Sequence, residues 1–214
     1  MDFLNAIILI SNFIIVPAIT YGSQLALGAI GVTLIYGVLR FANFAYGDLM
    51  AFGTMVVILF TWYLQSKGIS FGLLPTAILA LPIGIVFTIA ISLFFDKTIF
   101  EYYREKKSNP VTFIVVSLGI MFVLNAVVRI IIGPNDINFM DGHKFIMKAR
   151  EFKKLTGLNE GLAIKSTQVI TLITTIITCS LLFYFLNKTK TGKSMRAYSD
   201  NEDLALLSGI DPKK

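Results

Sequence analysis

Hydrophobic residues along this chain come in helix-length blocks separated by short polar breaks. A helix needs roughly 20 predominantly apolar residues to cross about 30 Å of hydrocarbon. Blocks of that size run over about 3–20, 22–40, 49–66, 73–95, 111–132 and 167–186. The first is the shortest, contains Pro17 and meets the second with almost no loop, so it either crosses or lies along the interface. The pattern predicts an all-α polytopic transmembrane helical bundle of about six spans, or five plus an interfacial N-terminal helix. The segment 133–165 opens on the breaker cluster Gly133-Pro134-Asn135-Asp136 and is too long for a simple connection. It has room for short strands or for a helix at Lys148–Leu155, and the pattern does not choose between them. No internal repeat or low-complexity tract is visible.

One break stands out. The block ending in Arg40 and the block beginning at Leu49 are joined by a polar and aromatic stretch that holds Asn43, Phe44, Tyr46, Gly47 and Asp48. Unpaired backbone groups cost several kcal/mol each in lipid. Such a break must be buried in protein, line a wet cavity or sit at the water interface. Asp48 is the only acid near the interior of the apolar region, and an intramembrane carboxylate marks a functional position by default. It also follows Gly47 at the start of a helical block, where it could serve as an N-cap. Asn43, Phe44 and Tyr46 could offer a half-apolar lining suited to an amino acid with an aliphatic side chain. Asn125 in the block 111–132 is deep enough for a buried interhelical hydrogen bond or a place on the pathway. Arg129, one turn further and four residues from the loop, can snorkel to the interface without a functional role.

Composition supports the membrane reading. Of 214 residues, 55% are hydrophobic and 15% charged, with a mean hydropathy of +0.74; soluble domains carry about 25% charged residues. The net charge of +6 comes without a basic stripe interleaved with aromatics, so nucleic acid is not an expected partner and the excess faces an anionic membrane surface. The single cysteine, Cys179, excludes an internal disulfide and a Cys-cluster metal site. The single histidine, His143, reads as a solvated loop residue. There is no phosphate-binding Gly-x-x-x-x-Gly-Lys-Ser/Thr loop, no nucleophile–His–acid set and no metal cluster, so neither an enzyme nor a cofactor is expected. With the tail 187–214, the loop 96–109 and Arg40 on one side, that side carries 11 Lys and Arg against 8 on the other. The positive-inside rule then places the tail in the cytoplasm and 133–165 outside. The N-terminus lacks a basic region and a good cleavage site, and reads as a retained segment.

Two stripes of small or hydroxylated residues carry a structural and a functional reading each. Gly22, Ala26, Ala29, Thr33 and Gly37 share one helical face, suited to close helix packing or to lining a pore. Thr167, Thr171, Thr174 and Thr178 do the same on the last span, for interhelical bonds or a polar wall.

The tail reads as a short capped helix. Ser199 and Glu202 have capping-box spacing. Asp200, Glu202 and Asp203 fall in a first turn, where the helix dipole favours anions. Leu204, Leu206 and Leu207 give an apolar edge, and Gly209 suits a helix end. Such a helix fits the groove of a soluble partner, or is a plain surface helix.

The stretch Tyr36-Gly37, Asn43-Phe44-Ala45 and Gly47-Asp48, together with Gly192, Arg196-Ala197, Glu202 and Leu206-Leu207-Ser208-Gly209-Ile210, resembles permeases of the Liv type, the membrane subunits of ABC importers for branched-chain amino acids. The run Phe113–Val123 also looks like that family's middle span, so the resemblance extends over most of the chain. Two departures stand out: the family usually has His where this chain has Tyr46, and Ser208 is an extra residue before the glycine. Family members also continue past this tail, which implies that a C-terminal third or so is missing. The resemblance implies a transmembrane permease region over 1–186 with a periplasmic loop at 133–166, and a cytoplasmic coupling segment over 187–214. It implies a bacterial inner membrane, two ABC ATPase subunits, a second related permease subunit and a periplasmic substrate-binding protein as partners, with membrane lipid around. The implied substrate pathway is Asn43, Phe44, Tyr46, Gly47, Asp48 and Asn125. The implied ATPase coupling residues are Ser199, Asp200, Glu202, Asp203, Leu206, Leu207 and Gly209. Branched-chain amino acids lead as cargo, with urea and short amides close behind. A stand-alone secondary carrier or channel, in which Asp48 couples ions, and a non-transporting scaffold are the competing readings.

Overall fold

A computed structural model describes residues 2–69, 74–135, 139, 141 and 145–209. His143, Asp136, Ile210 and the final lysines lie outside the described residues, as do the side chains of Glu202 and Asp203. The chain divides into two compact units, residues 1–39 with 144–214, and residues 40–143. Among the described residues, five helices are long and apolar enough to cross a membrane: Phe3–Leu39, Tyr46–Ser66, Ala77–Glu105, Pro110–Ile132 and Ser166–Lys188. The chain is a multi-pass helical membrane protein.

In the first unit, helix α1 (Asp2–Ile10) runs through a widened turn, Ser11–Ile15, into α2 (Val16–Leu39). The expected spans 3–20 and 22–40 are therefore one helix of 37 residues, about 55 Å long at 1.5 Å per residue. Among the described residues the candidate spans number five, the lower of the two expected counts, with the N-terminal segment continuous with α2. Proline lacks an N–H and its ring crowds the preceding turn. Ahead of Pro17 the Val16 N–H reaches back five residues to the Ser11 carbonyl, and that wider turn absorbs the proline without ending the helix.

The long loop contains both elements the sequence allowed. Strand β1 (Phe145–Met147) pairs antiparallel with β2 (Ile164–Lys165) through an irregular register, and α7 (Ala149–Thr156) lies between them. The Lys148 N–H donates to the Glu151 carboxylate at 3.3 Å, and Gly157 ends the helix at φ +69°. Two asparagines seven residues apart, Asn5 on α1 and Asn12 in the widened turn that follows it, hold this loop: the Glu160 N–H donates to Asn5 at 3.4 Å, the Ala163 N–H to Asn12 at 3.3 Å. Helix α8 (Ser166–Lys188) packs beside α2. The Thr189 hydroxyl then accepts from the Gly192 N–H at 3.0 Å and starts α9 (Lys190–Asp200). The last helix, α10 (Glu202–Leu207), follows.

In the second unit, α3 (Tyr46–Ser66) lies against α4 (Ala77–Phe95) and α6 (Pro110–Ile132). Glycines permit the α3–α4 approach. A Cβ on Gly53 would overlap the Thr88 hydroxyl, and one on Gly84 would overlap Val57 and stand 3.2 Å from the Gly53 carbonyl. In lipid, where apolar surfaces gain nothing by leaving solvent, such close backbone packing is what joins helices. Helix α4 continues through a second widened turn, Asp96–Phe100, into α5 (Glu101–Glu105). The buried core gathers Phe41, Ala45, Phe100, Phe113, Ile120 and Leu124. At the other ends of α3 and α4, Asp141 accepts from the Gln65 side chain at 3.0 Å and from the Ala77 N–H at 2.7 Å. A residue 64 positions away thus satisfies one of the orphan donors at the start of α4.

Candidate functional site

The break between α2 and α3 is held by hydrogen bonds within itself and to α6. Arg40 takes φ +58°, which ends α2, since this left-handed region does not continue a right-handed helix. The side chain of Asn43 accepts from the Ala45 N–H at 3.0 Å, and the Asn43 carbonyl accepts from the Tyr46 N–H at 3.4 Å. This is the local turn that asparagine favours. The Phe44 N–H donates at 3.1 Å to the hydroxyl of Ser117 on α6, which in turn donates to the Ile114 carbonyl at 2.8 Å. Ser117 is fully buried. Non-helical backbone at membrane depth is tolerated when it is satisfied inside protein, and here Asn43 and Ser117 do that.

Helix α3 begins at Tyr46, three residues earlier than the hydrophobic block suggested. Gly47 and Asp48 are therefore helical. Asp48 is not the N-cap; Ala45 occupies that place without a side-chain bond. The Asp48 carboxylate instead accepts from the side-chain amide of Asn125 on α6, Nδ2 to Oδ1, at 3.0 Å. The Asn125 Oδ1 accepts from Arg129 Nε at 2.8 Å. Three side chains from two helices thus form one line: carboxylate, amide, guanidinium. Asp48 also lies in the first turn of α3, where the helix dipole favours an anion. Of the expected pathway residues, Asp48 and Asn125 touch. Asn43 serves the turn, Phe44 projects from it half-exposed, and Tyr46 and Gly47 flank it.

Arg129 and Ser117 also line this break; from the sequence alone Arg129 was set aside as a snorkelling residue and Ser117 was not singled out. The signal for Arg129 was its one-turn spacing from Asn125. Ser117 gave none, because a single serine in an apolar span has many equivalent roles. Among the described residues no three His, Cys, Asp or Glu side chains come together as a metal-binding group.

The tail corrects one expectation. Ser199 is inside α9, and Asn201 is the cap of α10, its side chain accepting from the Leu204 N–H at 3.1 Å. Asn201 is extended at φ −153°, the conformation a cap requires, and Ser199 cannot be both helical and a cap. Ser199 instead faces α2: a Cβ on Gly37 would stand 3.2 Å from its hydroxyl oxygen. Asp200 closes α9, and Glu202 and Asp203 open α10. Leu206 and Leu207 are exposed, and Gly209 takes φ +79°.

The two stripes resolve differently. Among the described residues, Gly22, Ala26, Ala29 and Thr33 of the small face of α2 are exposed, while a Cβ on Gly37 would meet Ser199. On α8 the hydroxyls of Thr171 and Thr174 bond back to carbonyls of their own helix at 2.8 Å.

A family model described as branched-chain amino acid transport system / permease component matches residues 14–214. The high-affinity branched-chain amino acid transport system permease protein LivH of Escherichia coli (strain K12) is 25% identical over 198 residues, 90% of this chain and 60% of that protein. LivH of Salmonella typhimurium is 24% identical over the same shares. The permease protein BraD of Pseudomonas aeruginosa is 23% identical over 206 residues, 92% of this chain and 62% of its own. The chain spans about 60% of the length of these curated relatives. No solved structure matches it.

Proposed function

The chain belongs to the permease family of branched-chain amino acid transport systems, and from that premise we propose that it is a permease subunit of an ATP-driven importer in a bacterial inner membrane. Branched-chain amino acids are its cargo; the transport of these amino acids by its relatives supports this choice over urea and short amides. ATP is hydrolysed on two separate ATPase subunits, which dock on α9 and α10 in the cytoplasm. A second, related permease completes the pathway, and a periplasmic binding protein delivers the cargo.

The observation that carries the reading is the bond between Asp48 and Asn125 at a satisfied break in the helices. An intramembrane carboxylate held by a neighbouring helix is a pathway position by its cost alone. The charge balance of 11 to 8 supports a cytoplasmic tail. With five crossings the N-terminus is then periplasmic, as are the loop 133–166 and the staple at Asp141. Transport proceeds by alternating access, with α2 and α3 re-arranging about the break at Arg40–Ala45.

The test is expression with its neighbouring ATPase, permease and binding-protein genes, followed by pull-down and by uptake of labelled leucine. Two ATPase subunits should co-purify. Asp48→Ala and Asn43→Leu should insert normally yet lose most uptake. Wild-type kinetics in both variants would reduce residues 43–48 to an ordinary loop, and recovery without any ATPase would favour a stand-alone carrier.

A further inference from the structure

We infer that Arg129 and Asp48 read the two charges of a zwitterionic α-amino acid, with Asn125 as the spacer that sets their distance; this rests on the permease reading above. Two opposite charges in a low-dielectric region ordinarily close on each other, because the attraction grows as water is removed. Here they do not. The carboxylate and the guanidinium are joined only through the Asn125 amide, and the ion pair seen among the described residues is elsewhere, between Arg104 and Asp96. The amide cannot be turned around without breaking both bonds, since its NH2 must face the carboxylate and its oxygen must face the guanidinium.

The spacer leaves the recognition atoms available. Arg129 spends Nε on Asn125. Its two terminal nitrogens remain, and they present parallel donors to a carboxylate. Asp48 spends Oδ1 on Asn125 and keeps Oδ2 as an acceptor for an ammonium. Through bonds of 3.0 and 2.8 Å the two charged groups are held within about 8 Å. The ammonium and carboxylate of an α-amino acid, separated by one carbon and reached by two charge-assisted bonds of about 2.8 Å each, need about that span. The site is neutral in sum, as is its ligand. It discriminates by leaving charges unpaired: a neutral amide or urea satisfies neither end, and a solute lacking one charge leaves the other stranded. Arg129 is exposed near the end of α6, three residues before Ile132, so a solute can reach it from the side of the loop 133–166.

The experiment is saturation-transfer NMR on the full 214-residue chain in nanodiscs, with leucine, leucinamide, 4-methylpentanoate and urea as probes at millimolar concentration. It needs no ATPase, so its result is independent of the pull-down. In the wild type, leucine should bind at least tenfold more tightly than leucinamide, 4-methylpentanoate or urea. Arg129→Gln should weaken leucine at least tenfold and abolish its advantage over leucinamide. Arg129→Lys should weaken leucine less than Arg129→Gln but short of wild type, because an ammonium keeps the charge and loses the parallel donors and the Nε bond to Asn125. Asp48→Asn should abolish the advantage over 4-methylpentanoate. Equal binding of leucine and leucinamide by the wild type would overturn the inference without any variant, and so would the absence of leucine binding. Wild-type leucine affinity in Arg129→Gln would leave Arg129 as a snorkelling surface cation and sink its role as a reader.

Discussion

The ring of Phe41 stacks on the ring of Phe113, with centroids 5.0 Å apart. Phe41 stands directly after Arg40 and its positive φ, and Phe100 approaches it from a third segment at 5.7 Å. The break that could have been the slackest point of the chain is therefore pinned at its first residue by an aromatic cluster, and a few residues on by Ser117 and Asn125.

Removing that pin should loosen the second unit. Phe41 is 6% exposed. Phe41→Ala leaves a void among rings that lose their contacts outright. The expected cost is roughly 1–3 kcal/mol, below the largest values for water-soluble cores because lipid solvates the exposed rings. Denaturant titration in mixed micelles checks it. Phe44→Ala, at a half-exposed position, should cost much less.

The glycines of the helices should divide sharply. Gly84→Ala forces α4 away from Val57 and the Gly53 carbonyl, and should lower the unfolding midpoint. Gly22→Ala and Gly119→Ala meet nothing within 4 Å and should be neutral within the isolated chain, or stabilising by up to about 1 kcal/mol through helix propensity. The same micelle titration decides. If Gly22→Ala leaves the isolated chain intact but disrupts recovery of the second permease, the exposed small face of α2 is an assembly surface.

Orientation is tested by single-cysteine labelling on a Cys179→Ser background. Arg150→Cys in α7 should react from the periplasmic side, and Glu105→Cys should react only after the membrane is permeabilised. The reverse pattern would invert the topology and remove the tail from the ATPases.

The last helix has six residues, far below the length at which helices persist alone in water, so its cap matters. Asn201→Ala should cost about 0.5–2 kcal/mol of helix stability and weaken recovery of ATPase subunits. Gly209→Val should act alike, since φ +79° strains a β-branched residue. Ser199→Ala should leave the cap intact. A pull-down in which Ser199→Ala fails and Asn201→Ala succeeds would show that the α2–α9 contact governs docking, with the cap irrelevant to it.

The sequence by itself determined the solvent and the broad architecture. Apolar blocks of about 20 residues with few charges have no stable place but lipid, and the block at 49–66 reads directly as α3. The position of the break was equally plain, because a polar stretch between two such blocks must be accommodated specially. What hydrophobicity could not determine was whether a boundary is a turn or a continuation. Pro17 counted against the first block as a separate span, yet a widened turn absorbed it into one continuous helix, because backbone hydrogen bonding decides that and no side-chain pattern reports it. The cap moved from Ser199 to Asn201 for a similar reason: several adjacent residues had capping chemistry, and only φ selects one.

Tertiary structure alone decided the partners. Asp48 and Asn125 lie 77 positions apart, as distant in sequence as any unrelated pair. Their meeting depends on which face of α6 turns toward α3, and in lipid that choice rests on packing of small and aromatic residues, which leaves no period in the sequence to read. Phe41, Ser117 and Asp141 acquired their roles the same way: each is an ordinary residue until a helix from elsewhere in the chain presents it with an unsatisfied group or an open ring face.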